Sequence, residues 1–197
     1  MHPSDPKSVL HHYLTSAREA LMWKLDGLSE YDVRRPLTPT GTNLLGLLKH
    51  LAGCEVGYFA LTFDRPFEPN LPWLSEDAED NADMWATAEE SRDDIVGLYR
   101  RVCDHSDRVI AELDLDSPGV VPHWPDDRAR TTLHAVLVHM IAETQRHAGH
   151  ADIVRELVDG SVGLRREHAN LPHGDAAWWR NYHDKLERIA REVSGHH

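Results

Sequence analysis

The sequence of 197 residues is poor in cysteine and has no excess of basic residues, and each shortage argues against a class of protein. Cys54 and Cys103 are the only cysteines and neither belongs to a CxxC pair, so a disulfide framework is not expected and a reducing cytoplasm is the expected location. The 21 lysines and arginines are outnumbered by 33 acidic residues, which gives a formal net charge of −12. Nucleic acids and anionic membranes require a basic surface, so neither is an expected partner.

Long apolar runs and signature loops are also missing. No stretch approaches the roughly 18 continuous apolar residues of a transmembrane helix, and the N-terminus lacks the features of a secretory signal. The sequence contains no phosphate-cradling glycine loop, dinucleotide fingerprint or GxSxG nucleophile turn. The most acidic run, residues 75–83, is expected to be a solvated loop because like charges repel each other and rarely pack.

Apolar residues at helical spacing predict an all-α fold, since no convincing period-two alternation is present. Helices are expected at about 5–27, from Thr42 or Asn43 to about Phe63, at about 85–113, at about 131–158 and at about 175–194. Four main helices with two long connections predict a four-helix bundle with the fifth helix packed outside it. We therefore expect one domain over residues 1–197, with its core at about 5–160.

Histidine is abundant, with 15 residues, and the fourth predicted helix concentrates it on one face. At about 100° per residue, His139, Glu143, His147 and His150 fall within about 80° of one another. Apolar residues such as Val136 and Leu157 share that stripe, so it should face the core. Buried ionisable groups cost several kcal/mol unless they are paired or bound to metal. A divalent ion would compensate a carboxylate and neutral imidazoles together, and Glu143 and His147, four residues apart, can reach one ion.

A further ligand should come from another helix, and His50 is the candidate. It borders the leucine stripe of the second helix, and Gly46, Gly53 and Gly57 are expected to leave room for an ion and a bound molecule. The alternative is that these histidines are hydrogen-bonded structural residues. Three protein ligands would leave one coordination position open, which is typical of catalytic metal sites. His139 and His150 are candidates for orienting a ligand through hydrogen bonds.

Two motifs resemble the DinB-like (YfiT-like) superfamily over roughly residues 8–160. The first is GLLKHLA at residues 46–52, and the second, more specific, is HMIAETQRHAGHADIVRE at residues 139–156. Within the superfamily they are most similar to a bacterial branch related to mycothiol-dependent maleylpyruvate isomerase and thiol S-transferases. The resemblance implies a four-helix bundle, often a homodimer, with a divalent metal. Many members use a His-x3-His pair in the last core helix, but here Glu143 stands at its first position. The isomerase is similar in this respect, and its His, Glu, His set would correspond to His50, Glu143 and His147.

The resemblance implies thiol chemistry, in which a low-molecular-weight thiol such as mycothiol, bacillithiol or glutathione is activated at the metal and reacts with an electrophile. Zinc is the first expectation for the ion because imidazole and carboxylate ligands suit it, and nickel, iron and manganese are alternatives.

A metal-dependent hydrolase and a non-catalytic metal-binding bundle remain competing hypotheses. Asp152 is not an obvious base for a hydrolase because it lies away from the stripe. Cys54 could be a nucleophile but is expected to be a small buried apolar residue. Trp124 could cover a pocket mouth or simply pack in its loop.

Overall fold

The computed structural model describes residues 5–75, 77–166 and 168–195 and confirms the predicted all-α class. The helices are α1 (Pro6–Met22), α2 (Glu30–Arg34), α3 (Leu44–Glu55), α4 (Arg92–Glu112), α5 (Leu133–Asp159) and α6 (Ala176–Ser194). A 3-10 turn, Trp23–Leu25, extends α1, a π-helical segment, Val56–Leu61, extends α3, and another 3-10 turn spans Pro72–Leu74. Two short strands, β1 (Pro118–Val120) and β2 (Arg130–Thr132), form an antiparallel hairpin in which Gly119 pairs with Thr131.

Polar side chains fix where the long helices begin. Asp5, Asn43, Thr132 and Asp175 each accept a hydrogen bond from the backbone N–H three residues later, as N-cap residues do. Gly160 ends α5 in the left-handed region with φ 77°, which glycine adopts without strain. The predicted boundaries of the first, second, fourth and last helices therefore agree with the structure to within a few residues.

The third helix was predicted to begin near Trp85, and this is wrong because α4 begins at Arg92. Ser91 and Asp94 form a capping box there, so the helix has a defined start. The preceding carbonyl groups bond to side chains instead of a helical ladder. Lys49 donates to the Trp85 carbonyl oxygen, and Arg34 donates to the carbonyl oxygens of residues 86, 87 and 90.

The short helix α2 and the β1–β2 hairpin were not predicted from the sequence. Each strand has only three residues, which is too short for an alternating pattern to be visible. The hairpin is held against the end of the π-helical segment because the Val120 N–H donates to the Thr62 carbonyl oxygen at 3.0 Å. A side chain at Gly119 would lie 2.7 Å from the Thr62 methyl group, so this contact requires glycine. The hairpin connection, residues 121–129, is thereby placed beside α3 and α5.

The core lies among α1, α3, α4 and α5, with α1 packed on α5 and α3 packed on α4. Its largest apolar side chains include Leu14, Leu21, Leu47, Leu51, Phe59, Tyr99 and Leu137. The segment Leu44–Leu61 is long and apolar enough to cross a membrane, but 83% of it is buried inside the protein, as expected for the central helix of a bundle. None of the residues of α6 is buried, so this helix lies outside the core, as predicted.

Candidate metal centre

Three side chains singled out in the sequence meet between α3 and α5. His50 lies on α3 and its Nε2 is 3.5 Å from Oε1 of Glu143 on α5. His147, one turn further along α5, places its Nε2 3.0 Å from the same oxygen, and its ring centroid is 4.8 Å from that of His50. The three side chains are 13–26% exposed, so the site is largely enclosed but within reach of a small molecule.

These separations suit a tetrahedral metal ion. Nitrogen and oxygen ligands bound to zinc at about 2.0–2.1 Å lie about 3.3 Å from each other. The two distances to Glu143 Oε1, 3.0 and 3.5 Å, bracket that value. The donor set of two imidazoles and a carboxylate is also typical of zinc, nickel and iron sites. The chemistry of these donors and their two distances to Glu143 Oε1 therefore fit a divalent ion, although His147 lies outside the group of His50, Cys54 and Glu143 whose ligand atoms are all within 4.8 Å of one another.

The two protonation states that a metal requires are favoured at Glu143 and His147. Burial raises the pKa of Glu143, but the neighbouring His147 and hydrogen bonds with His147 and His50 outweigh it and hold that pKa below its usual value. Burial lowers the pKa of His147 and His50 lowers it further, more than Glu143 raises it. A carboxylate beside a neutral imidazole is therefore the arrangement near neutral pH, and both are competent ligands.

Asp83 holds the far side of His50 and was missed in the sequence. Its Oδ2 lies 2.6 Å from His50 Nδ1, which directs Nε2 towards Glu143 in the carboxylate–histidine pairing common around metals. The acidic run was predicted to be a solvated loop. That is correct for its exposed members Asp77, Glu79 and Asp80 but wrong for the partly buried Asp83, and Glu76 lies outside the described residues. No sequence spacing connects Asp83 to His50, because 33 residues separate them along the chain.

The close approach of this loop to α3 explains why one of the three glycines near His50, Gly46, has to be glycine. A Cβ at Gly46 would lie 1.8 Å from the Met84 carbonyl oxygen. The space at Gly46 is therefore filled by the loop backbone, whereas the sequence analysis had expected it to accommodate an ion. Gly53 faces the side chains of Trp73 and Leu74, which also fill the expected space. Gly57 is different, since the nearest atom its Cβ would meet is Cε1 of His123 at 3.8 Å. Only Gly57 faces space beside the site.

Cys54 also lies at the site. Its Sγ is 3.4 Å from His50 Nε2, and the ligand atoms of His50, Cys54 and Glu143 all lie within 4.8 Å of one another. Burial, with smaller contributions from Glu143 and Asp83, raises the pKa of Cys54 to about 12. Without a metal ion the side chain is therefore a protonated thiol, and the sequence-based expectation of a simple apolar residue omits its contact with His50.

An aromatic cluster, defined here as Tyr58, His123, Trp124 and His139, lies near the candidate metal ligands. Tyr58 is four residues after Cys54, and His139 is four residues before Glu143. The ring centroids of Tyr58 and His139 are 4.5 Å apart, and Trp124 Nε1 donates to the Tyr58 hydroxyl at 3.2 Å. His123 Nε2 lies 3.3 Å from the same hydroxyl. Burial raises the pKa of Tyr58 and lowers that of His123, so both are uncharged near neutral pH. The cluster joins the hairpin connection to the π-helical segment and α5, and Tyr58 is close enough to Cys54 and Glu143 for their charges to raise its pKa further.

The two histidines considered as orienting residues have different positions. His150 Nδ1 lies 3.4 Å from His147 Nδ1, close enough to influence that ligand, although His150 itself is exposed. His139 contacts the rings of Tyr58 and Trp124. Both roles remain predictions.

The helical wheel was partly wrong about the stripe that carries these residues. The buried face of α5 centres on Thr144, Ala148 and Ala151, and the ionisable residues lie along its flank. The reason is that α5 packs mainly on α1, which turns the residues that face α3 towards the edge of the core. Leu157, assigned to the core stripe, is accordingly 60% exposed.

Fold and site together define a helix-bundle protein with a candidate metal centre between α3 and α5. The chain belongs to the mycothiol-S-transferase family, whose sequence model matches residues 9–160, and the predicted kinship with the DinB-like superfamily is confirmed. Among solved structures it is similar to a conserved protein from Enterococcus faecalis, with a TM-score of 0.62 and 14% sequence identity. That alignment covers 80% of this chain and 99% of the other, and at this identity it supports the fold alone. No curated protein matches the chain.

Proposed function

We propose that the protein is a divalent-metal-dependent thiol S-transferase that uses a low-molecular-weight thiol of the mycothiol class. His50, Glu143 and His147 would hold the ion. The observation that carries the proposal is the approach of both imidazole Nε2 atoms to one oxygen of Glu143, at 3.5 and 3.0 Å, in a chain whose family is described by thiol transfer.

Each residue has a defined part in this function. A bound divalent ion would lower the pKa of a thiol that reaches it, and the thiolate is the reactive nucleophile. Asp83 keeps the proton on His50 Nδ1, so Nε2 presents a lone pair to the ion. Tyr58 and Trp124 provide apolar ring surface beside the site, where an electrophile would be held close to the sulfur.

The ion and the assembly belong to the same proposal. Zinc is the ion we propose, because its usual ligands include imidazole and carboxylate and it is not redox-active. We also propose a cytoplasmic homodimer that acts on a small-molecule thiol and an electrophile, with no nucleic-acid or membrane partner. Sedimentation velocity of the purified chain tests the dimer directly.

Metal content and thiol dependence test the activity. Purified tag-free protein should contain about one equivalent of metal by elemental analysis, and His50→Ala and His147→Ala should lose it. His134→Ala, an exposed histidine on the same helix, is the matched control and should retain it. Conjugation of mycothiol to monobromobimane should require both metal and thiol, and Glu143→Ala should abolish it.

Other outcomes would decide between the competing functions. Metal-dependent turnover of an ester probe without any thiol would contradict the transferase and favour a hydrolase, which uses water at the open position. Stoichiometric metal without turnover of thiol or ester probes would favour a non-catalytic bundle. Wild-type protein that binds no divalent metal would exclude all three functions.

A further inference from the structure

A cysteine thiol lies beside the proposed ligands between α3 and α5, and the ligand atoms of His50, Cys54 and Glu143 form one group. Cys54 lies four residues after His50 on α3, and His147 lies four residues after Glu143 on α5. Residues four apart project from the same face of a helix, so each helix contributes one pair of potential ligands. The pairs face each other because His50 Nε2 is close to both Cys54 Sγ and Glu143 Oε1.

The position of the sulfur suits direct coordination. With zinc–nitrogen and zinc–sulfur bonds of about 2.0–2.1 and 2.3 Å, a tetrahedral ion separates the two ligand atoms by about 3.5 Å. The distance between Cys54 Sγ and His50 Nε2 is 3.4 Å. The remaining separations in the group formed by His50, Cys54 and Glu143 are no more than 4.8 Å. His147 lies beside this group, with its Nε2 3.0 Å from Glu143 Oε1.

Cys54 differs in this respect from the other cysteine. Cys103 is half-buried on α4 beside Tyr99 and belongs to no group of metal-binding side chains among the described residues. The two thiols therefore have similar burial but different neighbours. Cys103 provides a natural internal control for any property assigned to Cys54.

We infer that Cys54 is a fourth protein ligand of the ion held by His50, Glu143 and His147. The inference rests on the proposed metal site, but it does not depend on the reaction that the site performs. A bound ion would lower the pKa of a coordinating thiol, so Cys54 would bind it as a thiolate. Zinc can expand to five ligands, which leaves space for a small-molecule thiol at the same centre.

Cobalt substitution tests the inference spectroscopically. Metal-free full-length protein, kept reduced with a phosphine so that no added thiol is present, would receive one equivalent of Co²⁺. Wild type and Cys103→Ser should show both the visible ligand-field bands of bound Co²⁺ and an intense sulfur-to-cobalt charge-transfer band in the near ultraviolet. Cys54→Ser should lose the charge-transfer band, and its zinc affinity, measured by competition with a chromophoric chelator, should fall roughly tenfold or more.

A second measurement does not depend on how the variants fold. X-ray absorption of the wild-type zinc protein should show one sulfur scatterer at about 2.3 Å among nitrogen and oxygen scatterers. A first shell without sulfur, or a charge-transfer band that persists in Cys54→Ser, would overturn the inference. The conjugation assay is scored separately. Loss of sulfur ligation with intact conjugation contradicts only this inference, whereas a sulfur ligand without conjugation contradicts only the transferase.

Discussion

At the scale of single residues, both proposed histidine ligands contact a neighbour that is not itself a proposed ligand. Asp83 fixes the ring of His50, and His150 lies against the far nitrogen of His147. Trp124 and His123 do the same for the hydroxyl of Tyr58. Removing one of these neighbours should weaken the site while leaving the proposed ligands in place.

Asp83→Asn should lower the affinity for zinc by about 10–100-fold, because the amide keeps the shape of the side chain but loses the charge that supports His50. The measurement is a competition titration against a chelator of known affinity. Asp80→Asn, an exposed position in the same acidic run, is the control and should bind as wild type does. Equal affinities for both variants would contradict the role given to Asp83.

Tyr58→Phe should loosen the hairpin connection, since Trp124 Nε1 and His123 both lose their partner. We expect the free energy of unfolding to fall by about 1 kcal/mol and amide exchange to accelerate within residues 121–129. Tyr13, which is 56% exposed, provides the control variant Tyr13→Phe with unchanged exchange. Unaltered exchange in residues 121–129 of Tyr58→Phe would show that the hydroxyl does not hold the connection.

Site residues that are close together on one helix could be predicted from the sequence. Site residues that approach from distant loops could not. Glu143 and His147 are four apart on one helix, so the period of the helix was sufficient to pair them. His50 required a family resemblance to be joined to them. Asp83 and His123 lie in loops, and a loop has no periodic sequence pattern from which its position in the fold could be predicted.

At the scale of elements, the centre depends on how closely the loop after the Pro72–Leu74 turn approaches α3. Asn43 Nδ2 donates to the Met84 carbonyl oxygen at 3.1 Å, and Lys49 donates to that of Trp85 at 3.0 Å. Lys49 also pairs with Glu90 at 2.8 Å. These contacts hold Asp83 in place, and Gly46 provides the space for them.

Gly46→Ala should destabilise the protein by about 1–3 kcal/mol, because the added methyl group meets the Met84 carbonyl oxygen and the loop has to move. The loss occurs despite a gain in helix propensity of about 1 kcal/mol. Gly97→Ala on α4 is the control, since its methyl group would meet only the end of the Arg101 side chain at 3.5 Å, and it should be neutral or stabilising. Urea unfolding measures both, and equal stabilities would contradict the close approach.

A buried ion pair joins α1 to α3 and gives a second prediction at this scale. Arg18 donates to both carboxylate oxygens of Glu55 at 2.7 Å, and both side chains are almost fully buried. Arg18→Met should cost about 3–5 kcal/mol because Glu55 is left as an unpaired buried charge. The double variant Arg18→Met with Glu55→Met should recover most of that loss. A double variant no more stable than Arg18→Met would contradict the assignment.

Elements with strong periodicity and caps were predicted well, and the others were not. The ranges of α1, α3 and α5 follow from apolar spacing and from the caps Asp5, Asn43 and Thr132. The start of α4 was misplaced because residues 85–90 have a composition that suits a helix. Their carbonyl groups are instead bonded to Arg34 and Lys49, which are distant in sequence.

At the scale of the whole molecule, the family match ends at residue 160, while the chain continues through α6. The intervening residues are tied to the end of α1: Trp23 Nε1 donates to the Leu164 carbonyl oxygen at 3.1 Å, Lys24 to that of Gly163, and Arg166 pairs with Asp26. Beyond them, α6 has an apolar stripe that remains 41–85% exposed and comprises Trp178, Tyr182, Leu186, Ile189 and Val193. The sequence correctly predicted this helix, but its periodicity could not reveal whether the stripe is buried.

Truncation after Gly174 should therefore leave the bundle intact. Because α6 buries no residue, we expect the free energy of unfolding to change by no more than about 0.5 kcal/mol and the metal content to be unchanged. Truncation after Asp159 is the contrasting variant. It removes the carbonyl oxygen that accepts from Trp23 Nε1 and leaves the buried Lys24 with one fewer acceptor, so it should be clearly less stable. Urea unfolding at several protein concentrations distinguishes the cases. The chain ending at Gly174 could instead be destabilised, with only the full-length protein showing a urea-unfolding midpoint that depends on protein concentration. In that case α6 contributes to the association of subunits and the expectation of an independent helix is wrong.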